Sequence, residues 1–343
     1  MRERNFDFGT ISRAVLFGAS QTLSRIIMGK HFDEILVLTG PRQAEMLAHT
    51  GETWEVFLKR LKIKCFFAES LQKCPGLFKF ITDQTIGISS GSPYIFSKDI
   101  IERFGHRIIN GHSSRLPQQR GGGGYSWMIM QGNRVGYAVW HLVDEGIDNG
   151  DILALKEFEY PVSCQYPEDY LNEKSIHEYG VFKSLLQDIK LKKPLQRNGQ
   201  SEHMSIYMPR LLTDVHGFID WKWSGQEIER FAQAFGRPYK GASTFLMGKQ
   251  VRVRSATSVT FDGTFHPFQY GIIYRLFENG VYVACKNGSL RCSLFRKDGI
   301  KPIEYKSNLI GERLYTPAEY LETAMRTRVE FLPKGPVIKD RML

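Results

Sequence analysis

The 343-residue sequence predicts an α/β protein: a mostly parallel sheet with helices on both faces, followed by a smaller β-rich domain. Three observations lead there. Short apolar strands alternate with helix-patterned segments as far as residue 190. The composition turns polar over 191–210. Beyond one further helix, short strands and turns follow at close spacing, as in a small barrel or sandwich.

The elements read in order. "RAVLFGAS" (13–20) is an apolar strand running into a small-residue turn, and "TLSRIIMGK" continues with helical spacing. "EILVLTG" (34–40) is a second buried strand. "ETWEVFLKRLKIK" sets Trp54, Phe57, Leu58 and Leu61 on one helical face. "IKCFFA" (63–68) and "TIGISSG" (85–91) are strands, "KDIIERFG" is a short helix ended by Gly105, and "RIIN" (107–110) is a fifth strand. "YSWMIMQG" (125–132) reads as a helix, "GYAVWHLVD" (136–144) as an alternating strand, and "EGIDNGDIL" (145–153) as a loop entering another strand. A long amphipathic helix covers 166–190, with Pro167 in its first turn. The polar segment 191–210 is a linker. The helix at 224–236 opens with a capping box from Ser224 and Glu227 and carries Ile228, Phe231, Ala232 and Phe235 on its apolar face. The domains are 1–205, 206–330 and a tail, 331–343, with part of 327–343 expected to be disordered.

Composition narrows the function classes. Hydrophobic content of 42% and charged content of 24% are those of an ordinary globular protein. No apolar run approaches the ~20 residues of a membrane span. "MRERNFDFGT" has no apolar leader, and five scattered cysteines form no C-x-x-C pair, so a cytoplasmic protein with reduced thiols is expected. The net charge of +10 is either a solvated basic surface or a sign of an anionic partner: nucleotide phosphates, a polyglutamate tail or nucleic acid. Its spread along the chain favours small anionic ligands. The chain has no G-x-G-x-x-G, P-loop, G-x-S-x-G or H-E-x-x-H motif, so no dinucleotide, metal or nucleophilic serine is expected.

What is present is Asn110 and His112 at a strand end, a glycine run from Gly121 to Gly124, and Asp148 on a later loop. In a parallel sheet the carboxyl ends of strands are where ligands bind. An amide N–H donates to a carbonyl oxygen as it gains charge, an imidazole moves a proton or stabilises the same oxygen, and a carboxylate orients the imidazole. That set suits acyl transfer without a covalent enzyme intermediate. Taken singly, the Asn and the Asp read as turn formers, the His as structural and the glycines as a flexible loop.

"NGHSSRLPQQRG" (110–121) fits the N-x-H-x-S-x-L-P-x-x-[RK]-G signature of the formyltransferase family, which this chain therefore resembles. "HLVDEGIDNGDIL" (141–153) resembles the family's second block, with its acid at Asp148. A weaker match over 217–242 resembles the opening of the C-terminal domain in the transfer-RNA and sugar members. The first 80 residues match only in their α/β pattern.

The resemblance implies a Rossmann-like catalytic domain, an OB-like C-terminal barrel and 10-formyltetrahydrofolate as co-substrate, without a metal. It implies catalytic roles for Asn110, His112 and Asp148. It places the pterin between Asp144, Glu145, Gly146 and Ile147 on one side and Tyr94, Ile95 and Phe96 on the other.

Family members deliver formyl to a primary amine and differ in what carries it. The loop "TGPRQAEMLAHTGETWE" has a single Arg42, short of the positive charge that grips a phosphate backbone. "RGGGGYSW" replaces the family's small-residue "RGAAP"-like run. Arg120, Gly121, Gly122 and Gly123 are therefore expected beside the acceptor, with room for a ring close to backbone N–H groups. The expected acceptor is an amino sugar, nucleotide-linked, with a place in surface polysaccharide biosynthesis. The alternatives are a methionyl-tRNA formyltransferase acting on initiator tRNA, and a non-catalytic folate-binding module on the same scaffold. The C-terminal domain serves stability, homodimerisation through a sheet edge, or substrate binding.

Overall fold

The structure is a computed structural model that describes residues 5–121, 124–332 and 335–340. Seven strands form the larger sheet: β1 (Arg13–Phe17), β2 (Glu34–Thr39), β3 (Lys64–Phe67), β4 (Thr85–Ser89), β5 (Ile108–His112), β6 (Val135–Leu142) and β7 (Ile152–Glu159). Their order is β3-β2-β1-β4-β5-β6-β7. The first five run parallel; β6 and β7 are antiparallel to their neighbours. The chain leaves β1 toward β3 and returns to β4 on the other side, so the strand order reverses between β1 and β4. β1 and β4 are buried almost throughout, as the central strands of a two-face-covered sheet must be.

The crossovers carry α1 (Gln21–Met28), α2 (Trp54–Arg60), α3 (Pro75–Phe80) and α4 (Lys98–Arg103); α5 (Gly124–Gln131) leads into β6 and α6 (Pro167–Lys190) follows β7. One apolar cluster on α1, α2 and α6 covers one sheet face, with Trp54, Phe57, Trp140 and Phe182 inside it. A second, with Phe17, Leu77, Ile100 and Phe104, covers the other. Tyr94 and Phe96 belong to that second cluster.

The C-terminal part opens with α7 (Gly225–Ala234), whose Ser224 and Glu227 form both bonds of the capping box. Six antiparallel strands follow: β8 (Ala242–Leu246), β9 (Lys249–Val259), β10 (Ile273–Phe277), β11 (Gly280–Cys285), β12 (Gly288–Arg296) and β13 (Leu314–Tyr315). Their order is β10-β11-β12-β9-β8-β13. The sheet curls until its ends meet, where Ile273 N donates to Glu312 O and Leu314 N to Gly271 O, each at 2.8 Å. A third apolar cluster joins this barrel to α5, β6 and β7 through Met128, Ala138, Phe158 and Tyr160.

One expectation needs correction. The segment 191–210 is more than a linker: Leu195–Gln196 pairs with Asn5–Phe6, and Tyr207–Met208 pairs in parallel with Arg120–Gly121. At the C-terminal end α8 (Ala318–Arg326) leads into β14 (Thr327–Leu332), which pairs antiparallel with β15 (Gly335–Asp340); of the stretch 327–343, where partial disorder is expected, residues 333–334 and 341–343 lie outside the described residues. Among the described residues no helix is long and apolar enough to cross a membrane.

Candidate active site

Asn110 and His112 end β5, two residues apart and so on one face of the strand. Gly111 between them faces the other way, where a Cβ would meet Glu178 Oε1 at 2.5 Å. The glycine lets α6 press against the back of the strand. In the sheet register Asn110 lies opposite Ser89 of β4 on one side and His141 of β6 on the other.

The third expected residue arrives on the loop after β6. Asp144 Oδ1 accepts from Gly146 N at 3.0 Å, closing the first turn. Asp148 has φ of +52°, a left-handed conformation that Asp tolerates better than most side chains. At Gly150 the backbone passes so close to β6 that a Cβ would stand 1.9 Å from Leu142 O. These constraints turn the Asp148 carboxylate back over the strand ends. Its Oδ1 lies 3.4 Å from Asn110 Nδ2 and 3.7 Å from His141 Nε2, and its Oδ2 lies 3.6 Å from His112 Nδ1. Asn110, His112 and Asp148 thus converge, but at separations just longer than tight hydrogen bonds.

His141 was not singled out in the sequence, yet it sits at the centre of this group. Its ring is buried, and burial pushes its pKa down to about 4 against the raising pull of Asp148. It is therefore neutral at pH 7. Nδ1 lies 2.8 Å from Leu142 O, an acceptor only, so Nδ1 carries the proton and Nε2 accepts. Asn110 Nδ2 donates one hydrogen to that Nε2 at 3.0 Å. The second hydrogen of the same amide points toward Asp148. The signal for His141 was an imidazole directly across an antiparallel pair from Asn110, at the end of an otherwise apolar run.

His112 is held from the other side. Its Nε2 lies 3.0 Å from both Gln119 O and Ser114 Oγ, and Ser114 Oγ also donates to Gln119 O at 3.0 Å. Ser114 is thus the serine of the signature at work on the imidazole. Gln200 is a further residue the sequence did not flag. Its amide donates to Asp148 O at 3.0 Å and to Gly150 O at 2.7 Å, tying the acid's loop to the 191–210 segment.

The remaining expected residues divide. Tyr94 and Phe96 do not line a slot. They alternate with Ile95 along an extended segment and point into the core: the Tyr94 hydroxyl donates to Ala68 O at 2.6 Å and Phe96 meets Phe17 edge-on at 4.9 Å. Ile95 alone is open, 74% exposed. Glu145, Gly146 and Ile147 are exposed and Asp144 half-buried. Val143, just before them, packs on the cluster that holds Tyr94 and Phe96, so the two loops share one apolar base. Open apolar side chains at Ile95 and Ile147 and an accessible loop backbone fit a flat ring bound mainly by main-chain groups. Arg120 is buried; Gly121 pairs with Met208; Gly122 and Gly123 lie outside the described residues. Among the described residues no cluster of His, Cys, Asp or Glu could hold a metal ion.

Two family models match the chain. One, described as formyl transferase, covers residues 91–179; the other, described as formyl transferase, C-terminal domain, covers 212–313. The methionyl-tRNA formyltransferase of Ruminiclostridium cellulolyticum is 28% identical over 222 residues, 65% of this chain and 70% of the relative. That of Agathobacter rectalis is 28% identical over 237 residues, 68% of this chain and 73% of the relative. Among solved structures, WlaRD, a sugar 3N-formyl transferase with dTDP and 5-N-formyl-THF, aligns with a TM-score of 0.61 at 18% identity, over 87% of this chain and all of that one. An N-formyltransferase from Helicobacter canadensis, in complex with folinic acid and dTDP-3-aminofucose, aligns with a TM-score of 0.61 at 18% identity, over 83% of this chain and all of that one.

Proposed function

We propose that this chain, which belongs to the formyltransferase family, moves a formyl group from 10-formyltetrahydrofolate to the primary amine of a nucleotide-linked amino sugar. The observation that carries the reading is the meeting of Asn110, His112 and Asp148 at the carboxyl end of the sheet. In this reading residues 1–205 form the catalytic domain, and the 206–330 domain braces it through the shared apolar cluster.

The folate co-substrate supplies a formyl carbonyl, and the acceptor amine adds to its carbon. The chain's own residues manage the charge that develops on oxygen. Asn110, fixed by His141, turns the N–H that faces Asp148 at 3.4 Å onto the developing oxyanion; His112 supplies a second donor or takes up the amine's proton; Asp148 keeps both turned inward. Ile95, Ile147 and the backbone of 144–148 are the side on which the pterin binds.

The sugar acceptor is supported by the loop after β2. It is a short turn of helix, Pro41–Glu45, held by Gln43 Nε2 on Gly91 O, and Arg42 is its only arginine. A phosphate backbone would find little to bind there. The second reading, transfer to initiator methionyl-tRNA, is favoured by the names of the sequence relatives and by the net charge of +10.

One assay separates them. Purified protein is given 10-formyltetrahydrofolate with a panel of nucleotide-linked amino sugars and with charged initiator tRNA, and formyl product is read by mass. The proposal expects a formylated sugar. Formylated tRNA with untouched sugars overturns it.

A further inference from the structure

Beside the Asp148 loop, Arg120, Ile147, Asn149, Glu202 and Ser205 line a cleft of about 390 Å³. Arg120 is its most unusual member. The residue is 7% exposed, yet its main partner, the Glu202 carboxylate at 2.5 Å from Nη1, is 81% exposed. Nη2 reaches Gln200 Oε1 at 3.3 Å. Nε has no hydrogen-bond partner among the described residues, and neither has Gln118 Oε1 or the cleft's own Asn149 Oδ1.

This is a poor way to stabilise a fold. Taking a guanidinium out of water costs several kcal/mol unless its partners are well fixed. A carboxylate that stays in solvent returns little of that cost. Arg252, the other deeply buried arginine of this kind, has every nitrogen of its fork met: Nε on Lys297 O, Nη1 on Gly241 O and Ser243 Oγ, and Nη2 on Asp214. Arg120 holds a planar, permanently charged fork at the cleft, with its own Nε–H unmet. That chemistry fits a phosphate oxygen, which a guanidinium binds with two parallel N–H donors. The charge of Arg120 also contributes to holding down the His141 pKa, so the two lie within electrostatic reach.

We propose that Arg120 is the subsite for a phosphate of the formyl acceptor, and that Glu202 is a displaceable stand-in that occupies the guanidinium until the acceptor arrives. The inference rests on the reading that the acceptor enters beside Asp148. It makes the segment Gln200–Ile206 a strap. One end grips the catalytic loop through Gln200 on Asp148 O and Gly150 O, and the other pairs at Ile206 O with Arg120 N. Phosphate binding then exchanges one anion for another at the same fork, and the strap keeps its backbone bonds.

The test uses inorganic pyrophosphate as probe, so that it stands apart from turnover. Calorimetry should show pyrophosphate bound by wild type, several-fold tighter by Glu202→Gln, and at least about tenfold weaker by Arg120→Lys, which keeps the charge but loses the fork. Melting curves check that each variant folds; should Arg120→Lys not, Glu202→Gln and Glu202→Asp carry the comparison. In turnover Glu202→Gln should lower the acceptor KM several-fold, as expected when a competing anion leaves the binding fork. Competition identifies the source of the phosphate: displacement of pyrophosphate by a nucleoside-diphosphate amino sugar assigns it to that acceptor, and displacement by charged tRNA alone to the RNA. Pyrophosphate binding indifferent to both Glu202→Gln and Arg120→Lys, or displaced by neither acceptor, overturns the subsite. If no amine is formylated but the pyrophosphate pattern holds, the fault lies with the proposed reaction and not with the subsite.

Discussion

The Asn110 amide nitrogen lies 3.0 Å from His141 Nε2, across a directly opposed antiparallel pair. The bond works in one direction only. His141 spends its one proton on Leu142 O, so Nε2 must accept, and Asn110 cannot rotate its carbonyl into that place without setting two acceptors face to face.

His141 is therefore a positioning residue for Asn110. His141→Ala should lower kcat by roughly ten- to a hundredfold, the size of loss seen when residues that orient metal ligands lose their hydrogen-bonded partners. The KM for folate should hardly move. A conservative His141→Gln, able to accept from Asn110, should recover part of the loss.

The same residue sets an acid limit on stability. In the unfolded chain its imidazole takes a proton near 6.5; in the fold burial lowers that to about 4. Between these values the unfolded state binds more protons, so acid favours unfolding. The contribution is complete above about 6.5 and is lost as the pH falls toward 4. Denaturant midpoints measured at pH 7 and pH 5 should separate less in His141→Gln than in wild type.

Asp148 combines a charge with a left-handed backbone, and the two can be tested apart. Asn shares the tolerance of positive φ, so Asp148→Asn should melt with wild type while losing activity. Asp148→Val should lose both, since a β-branched residue is strained at φ of +52°.

Behind β5 the Lys174–Glu178 pair is almost fully buried, at 2.5 Å, with Glu178 also accepting from Ser90 Oγ at 3.4 Å and from Thr22 Oγ1. Lys174→Met leaves a carboxylate without its cation in the interior. It should cost about 3–5 kcal/mol in denaturant unfolding. The double variant Lys174→Met/Glu178→Leu should cost less than the single one.

Much of this molecule could be read from residue patterns, and the exceptions have physical reasons. The strands of the larger sheet carry apolar runs or alternation bounded by turns, and Ser224 with Glu227 marks the start of α7 in the sequence itself. Asn110, His112 and Asp148 each read singly as a turn former or a structural residue, and stood out only as a set, through their order along the chain and the signature they complete. His141 did not stand out, because a histidine inside "AVWHLV" reads as part of the strand until its partner across the sheet is known. Gln200 was missed for a similar reason: its work is done on backbone carbonyls some fifty residues away, and a polar segment with Pro and Gly reads as a connection. Tyr94 and Phe96 were misplaced because alternation shows that two residues share a side, not which side faces the core.

The central claim is that Asn110 and His112 act on the formyl oxygen during transfer, and not on folate binding. It is tested most directly by single-turnover formyl transfer in Asn110→Ala and His112→Ala, with folate affinity measured separately. The account predicts a chemical step slowed by ~10²–10³ in each variant, the loss typical of one oxyanion donor, with folate affinity within a fewfold of wild type. A transfer rate close to wild type in either variant, or a loss explained wholly by weaker folate binding, would contradict it.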